Sequence, residues 1–218
     1  AAAFVRMPTW ATWILVGGAS LAIWWLVSSL VASHWIYDRS SLYRWMWVPT
    51  VLRETPMRWV NIHAGLDEST EGLAAVLGQP PLVVLDIFDP TEMTEPSIAR
   101  ARNDARPTWP SVSCPGSVPV DVQNVNVIFA IFCLHEVRRD QRRIDVMADL
   151  ASRLTTDGRI FVVEHLRDVA NFVVFGGGFV HFLSRRVWFA TFAAAALAVV
   201  GERRVTPFVR VFELQRLP

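Results

Sequence analysis

Four of the five histidines of this chain stand where side-chain chemistry would be useful. His63 closes the apolar run WVNI, His135 and Glu136 follow VIFAIFCL, Glu164 and His165 follow RIFVV, and His181 lies inside an apolar insertion. A histidine beside a carboxylate at the end of a strand can act as general acid or base, or as a metal ligand. No two of these residues recur at a fixed ligand spacing, so no metal is expected. His135 and Glu164 are the candidate catalytic bases. The plainer alternative is that these groups hydrogen-bond one another and cap neighbouring helices. Cys114 and Cys133 are the only two cysteines, both within apolar stretches, and read as small core residues of a reducing compartment.

Such residues need elements to hold them, and the sequence from about residue 58 alternates short apolar runs with helical patterns. Trp59–His63 reads as a strand and Thr70–Leu77 as a helix. Leu82–Phe88, broken only by Asp86, and Val127–Cys133 read as buried parallel strands. Thr94–Ala105 is an expected helix with Thr94 as its cap and Pro96 in its first turn, and Arg138–Leu154 is an amphipathic one. Its pairs Arg138-Arg139 and Arg142-Arg143 read as a solvated face, or else as a patch for phospholipid or acidic protein. Thr156-Asp157-Gly158 is expected to turn the chain into a strand at Arg159–Glu164, and Arg203–Leu214 to form a late strand pair around Pro207. Between them, Val169–Leu183 reads as a loop or short helix dipping into a membrane interface or covering a pocket, held at headgroup level by Arg185-Arg186; Ser184 caps a helix running to Ala196. Strand–helix alternation with short turns predicts a doubly wound α/β sheet.

The first forty residues are of another kind. No Asp, Glu, Lys or Arg occurs between Arg6 and Asp38. Trp10–Ile36 would reach roughly 40 Å as a helix, enough to cross a ~30 Å hydrocarbon core with tilt. Trp10 and Trp13 at one end, Trp35 and Tyr37 at the other, supply the two aromatic belts. The run is too long for a signal peptide and no convincing cleavage site follows it. Arg6 alone precedes it, whereas Arg39, Arg44, Arg53 and Arg58 follow, so the positive-inside rule puts the remainder of the chain in the cytoplasm, behind a single pass of the inner (cytoplasmic) membrane. Gly18 and Ala22 form a small-xxx-small notch that admits a neighbouring membrane helix, which makes integral membrane proteins the expected partners. His34 reads as a wet interfacial histidine. The expected organisation is a transmembrane helix over 1–37, an interfacial Trp-rich connector over 38–57 and an α/β domain over 58–218.

The phrases VVLDIFDPTEMTEP, NVIFAIFCLHEVRRD, TTDGRIFVVEHLRD and RRVTPFVRVFEL stand in the order in which the class I S-adenosylmethionine-dependent methyltransferases carry their equivalents. Over residues 58–214 the chain resembles that family. The resemblance implies a Rossmann-like doubly wound methyltransferase fold, with seven strands, an antiparallel last strand, and a cofactor crevice at the carboxyl ends of the strands. It also implies which residues would meet S-adenosylmethionine. Gly65 takes the middle position of the family's glycine-rich turn, with His63 and Asp67 in place of the flanking glycines and Asn61 in place of the acid before them. Asp86 takes the place of the acid that binds the ribose, Cys114 that of the acid near the adenine, and Asn126 that of an Asp before the fourth strand. Each lost charged acceptor costs about 1.5–3 kcal/mol, tenfold or more in affinity, and side chains in place of glycines block the approach of ligand to backbone. Cofactor binding is therefore expected to be weak or absent.

Composition excludes several classes. Hydrophobic residues make up 52% of the 218 and charged ones 19%, with a net charge of +1 and all 21 basic residues Arg. That is no disordered tail, and it gives no field to gather nucleic acid. Two readings remain. One is an accessory subunit of a larger membrane assembly, for which an energy-transducing or photosynthetic complex is a suitable host. The other is an active methyltransferase working on a lipid, quinone or tetrapyrrole, with Asp86 and Gly65 holding the cofactor and His135 or Glu164 as base.

Overall fold

The computed structural model describes residues 7–52, 54–104 and 108–217. Arg6 and Arg53, which carry part of the orientation argument, and Ala105, the expected end of a helix, lie outside them. The chain opens with α1 (Thr9–His34), which continues through a wider π turn over Trp35–Arg39 and a run of turns to the short α2 (Val48–Val51). Then follow β1 (Trp59–His63), α3 (Thr70–Leu77), β2 (Val83–Asp86), α4 (Pro96–Asp104), β3 (Ser111–Ser113), β4 (Val125–Ile131), α5 (Asp140–Ser152) and β5 (Leu154–His165). The chain ends with α6 (Val169–Phe175) and a 3-10 turn over Gly176–His181, α7 (Arg185–Ala194), β6 (Leu197–Thr206) and β7 (Val209–Arg216).

The seven strands form one sheet in the order β3-β2-β1-β4-β5-β7-β6. The first five are parallel, and β7 runs antiparallel between β5 and β6. This is the doubly wound arrangement expected, with its order reversing between β1 and β4, where open α/β sheets bind ligands. All of β1 is buried, as a central parallel strand must be.

Local differences have local causes. Thr156-Asp157-Gly158 is no turn. It lies inside the 12-residue β5, where pairing jumps from Val125↔Leu154 to Val127↔Arg159, so the segment bulges out of the ladder without ending the strand. Thr94 does not cap α4, which begins at Pro96, a residue with no N–H to satisfy. Ser184 does cap α7, its Oγ accepting from Val187 N at 3.3 Å. Arg143 is not on a solvated face. It is fully buried, donating to Asp140, the Val137 carbonyl and Thr191 Oγ1. Arg185 is held by Glu202 at 2.7 Å, with its guanidinium over Phe189.

The two faces of the sheet are covered differently. One packs Val60, Ile128, Ile160 and Phe212 against Met147 and Leu150 of α5 and Trp188 and Phe192 of α7. The other packs Trp59, Phe129, Phe161 and Val211 against Leu73 and Leu77 of α3 and, beyond them, against Ile36, Leu42, Trp45, Trp47 and Val48. Connector tryptophans expected at a membrane surface are thus core side chains. Trp47 stands edge-on to Phe129 at 6.3 Å and to Phe161 at 6.4 Å. Trp45 lies so close over α3 that a Cβ on Gly72 would fall 1.7 Å from its Nε1. The connector serves as a layer of the domain.

α1 with its following turn is long and apolar enough to cross a membrane, with a mean hydropathy of 2.0. Trp24, Trp25 and Ser28 of this helix meet α6. Among the described residues, nothing outside the helix's own backbone comes within 4 Å of a Cβ placed on Gly18, and Ala22 is exposed. His34 pairs with Asp38 at 2.6 Å in the open.

Candidate functional site

Two groups of polar side chains occupy the carboxyl edge of the sheet. The first surrounds the ends of β1 and β2. Asn61, fully buried, donates through Nδ2 to Asp67 Oδ1 (3.2 Å), Ser69 Oγ (2.8 Å) and Thr70 Oγ1 (2.7 Å). Asp67 accepts in turn from the backbone N–H of Ser69 and Thr70, so this loop spends its polar groups starting α3. His63 Nδ1 accepts from Gly65 N at 3.2 Å, and its Nε2 is buried without a partner.

Asp86 accepts from Phe88 N (3.1 Å) and, on its other oxygen, from Arg102 Nη1 at 2.7 Å. Arg102 reaches it from α4 across Gly65. Its Cγ lies 2.9 Å from where a Cβ on Gly65 would be, and its guanidinium caps the Phe88 ring at 4.1 Å. The space over the expected ribose acid is therefore filled by a side chain of the chain itself. Burial pushes His63 below its ordinary pKa, Asp86 and Asp67 oppose this, and the Arg102 charge adds to it. At the end of β3, Cys114 is buried, its thiol pushed up to about 11 by burial and the nearby acids; its N–H donates to the Asp86 carbonyl. Asn126, at the opposite end of the sheet, accepts from Arg58 N at 3.0 Å.

The second group surrounds the ends of β4 and β5, and here the two candidate bases meet. His135, on a 3-10 turn after β4, places Nδ1 2.7 Å from Glu164 Oε2 and Nε2 3.2 Å from Glu136 Oε1. His181 arrives from the insertion, its ring 5.1 Å from that of His135 and its Nε2 3.4 Å from Glu136. Arg138 closes the group, donating to the His181 carbonyl (2.8 Å) and to Glu95 (3.0 Å). Burial alone would lower His135, but the Glu164 charge and hydrogen bonds to Glu136 and Glu164 carry it up to about 10. It holds its proton at neutral pH. Burial would raise Glu136, yet its two histidines hold it well below the usual carboxylate range. His135, Glu136 and His181 bring one ligand atom each within 4.8 Å of the others. Arg138 already stands beside them, 4.0 Å from Glu136 Oε2.

His165, next to Glu164, is a packing residue. It is stacked between Phe132 (5.0 Å) and Phe182 (4.8 Å) and pushed down to about 4, mainly by burial. Phe132 holds φ at 50°, a region costly for a bulky side chain. Between the two groups lies a cleft of about 230 Å³, lined by Tyr37, Tyr43, Leu66, Glu68, Phe132 and Cys133 among others. Sequence reasoning placed Gly65, Asp86, His135 and Glu164 at this edge but missed Arg102 and Arg138. The available signal was position: Ile98 and Arg102 are four apart and share a helix face, so a buried Ile98 aims Arg102 inward.

No protein-family model and no curated protein matches the sequence. Solved structures do resemble the fold. The mitomycin 7-O-methyltransferase MmcR is 18% identical, with 81% of this chain covered, 54% of that one and a TM-score of 0.54. The pyocyanin biosynthetic protein PhzM is 12% identical, with 80% and 54% covered and a TM-score of 0.57. LepI in complex with SAM is 18% identical, with 76% and 44% covered and a TM-score of 0.52. The chain thus spans about half the length of the structures it matches. At these identities the likeness establishes the fold. It is the Rossmann-like fold of the class I S-adenosylmethionine-dependent methyltransferases, here preceded by one apolar helix of membrane-spanning length.

Proposed function

We propose that the chain is a membrane-anchored accessory subunit in which a methyltransferase-like domain has lost its cofactor site and serves as a scaffold. The observation that carries this reading is Arg102, bonded to Asp86 and laid over Gly65. Seating S-adenosylmethionine would require breaking that ion pair and finding room where His63, Asp67 and the Arg102 stem now lie. The residues present do not fit the group. The remaining cleft of about 230 Å³ is smaller than the roughly 300 Å³ at which small-molecule sites begin. His135, charged at neutral pH and bonded on both sides, is no general base.

The anchor supplies the other half of the proposal. α1 crosses the cytoplasmic membrane once, with Arg39, Arg44 and Arg58 exposed after it and the domain on the cytoplasmic side. Gly18 and Ala22, unpartnered among the described residues, receive a helix of an integral membrane complex.

Calorimetric titration of S-adenosylmethionine into the full chain in mild detergent tests the site. No heat at millimolar cofactor is expected. Micromolar binding would overturn the scaffold reading and restore an enzyme acting on a lipid, quinone or tetrapyrrole. Copurification in fixed stoichiometry with a membrane complex is the expected companion result; a free monomer alone would count against the partner.

A further inference from the structure

The insertion Val169–Leu183 ends its backbone hydrogen bonds in an uncommon way. A seven-residue helix leaves its last four carbonyls without partners inside the helix, and on a soluble surface water takes them. In α6 the Phe172 carbonyl accepts from Gly176 N, while the Val173 carbonyl accepts from Trp24 Nε1 (3.1 Å) and the Val174 carbonyl from Ser28 Oγ (2.8 Å), both donors on α1. Further along, the carbonyls of Val180 and Phe182 accept from Arg167, and that of His181 from Arg138. Side chains thus take up the carbonyls that water would otherwise serve, as non-helical backbone must arrange wherever water is scarce.

The outer surface of the same segment is apolar. Val169, Phe172, Val173 and Val180 are 77%, 41%, 46% and 60% exposed. On the inner side Trp25 packs on Phe172 at 5.8 Å, and against Gly176 so closely that a Cβ there would fall 2.4 Å from its ring. Depth follows from the helix that α6 grips. At 1.5 Å per residue, Trp24 and Ser28 stand about 16 and 22 Å along the axis from Trp13, between the two aromatic belts and so inside a hydrocarbon core ~30 Å thick.

We propose that α6 and the 3-10 turn behind it enter the lipid beside α1, with Phe172, Val173 and Val180 against acyl chains. The domain is then wedged into the cytoplasmic leaflet at a second point, and its orientation to the membrane is fixed. The occupant of this apolar face is lipid because the face continues the lipid-facing surface of α1, at the depth α1 sets. This rests on α1 spanning the bilayer, and the test separates the two.

Nitroxide labels placed through Val173→Cys, Val180→Cys, Leu21→Cys and Val120→Cys, in the full chain reconstituted into phosphatidylcholine–phosphatidylglycerol vesicles, report oxygen and nickel-chelate accessibility. Both native cysteines are buried; label uptake by the unsubstituted chain checks that they stay silent. Positions 173, 180 and 21 are expected to favour oxygen severalfold, and 120, on the soluble domain, to favour the nickel chelate. If 173 and 180 follow 120 while 21 stays in lipid, the wedge is overturned and the span stands. If 173 and 180 exclude both reagents, protein covers the face and lipid does not, which also overturns it. If 21 itself is aqueous, the spanning reading falls and takes the wedge with it.

Discussion

His63 and His135 end neighbouring strands of one sheet, and burial penalises the charge on both, yet they settle in opposite states. His63 is held below its ordinary pKa, whereas His135 is carried to about 10. The difference is where the nearest carboxylates spend their charge. Asp86 stands 3.7 Å from His63 but faces Arg102 at 2.7 Å, so the imidazole next to it gains little by charging. Glu164 and Glu136 face His135 on its two sides at 2.7 and 3.2 Å, while Arg138 reaches only the other oxygen of Glu136, at 4.0 Å. Burial dominates at His63, with the Arg102 charge adding to it, whereas the two glutamates outweigh burial at His135. On the scaffold reading proposed above, the arginine that takes Asp86 is also the one in the way of a nucleoside.

The comparison breaks most violently at Glu164, whose side chain is 1% exposed. Glu164→Gln leaves a buried imidazolium short of one partner. Breaking such a pair costs 3–5 kcal/mol, and the low end, about 3 kcal/mol, is expected because Glu136 remains at 3.2 Å. In a chain of this size that lowers the melting temperature by on the order of 10 °C, read by thermal unfolding in detergent. A loss below ~1 kcal/mol would mean that His135 is neutral in the folded protein.

pH separates the two states next. The folded pKa of His135 is raised, so its contribution is fully present below the unfolded value near 6.5 and is lost as pH climbs from there through about 10. His165 is lowered to about 4, so its contribution is present above 6.5 and is lost as pH falls toward 4. Unfolding curves across pH 4–10 should decline on both sides of a maximum near 6.5, and Glu164→Gln should flatten the alkaline side only.

Much of this architecture was legible because it follows from period and punctuation. β1, α3 and the Ser184 cap fall where the apolar runs and cap residues put them, and the approximate ends of β4 fix His135 at the carboxyl edge. What the sequence hid is long-range. Trp45 and Trp47 read as interfacial because tryptophan favours interfaces; only the sheet face left open beside α3 makes them core. β5 runs through Asp157-Gly158 because its partner β4 continues past it, a fact of pairing that no turn signal contains. At the site, Asp86 and Gly65 could be placed by motif order. The residue that occupies the space between them, Arg102, comes from a helix sixteen positions further on.

The smallest expected effect is the most pointed. Arg102→Ala removes the cation from Asp86, so His63 becomes its partner and its pKa should rise. The stability cost should stay under about 1 kcal/mol at pH 6, because the arginine is a third exposed and a protonated His63 replaces part of its charge. At pH 8, where His63 is neutral, Asp86 has no replacement and the cost should be larger. Proton NMR titration of the His63 ring together with denaturant unfolding at the two pH values reads both. An unmoved His63 midpoint would mean that Arg102 does not rest on Asp86 in solution, and the crevice would then be open to a nucleoside after all. A raised midpoint without any gain of S-adenosylmethionine binding would place the block deeper, in the side chains of His63 and Asp67 that stand where a glycine turn would have let the ligand reach the backbone.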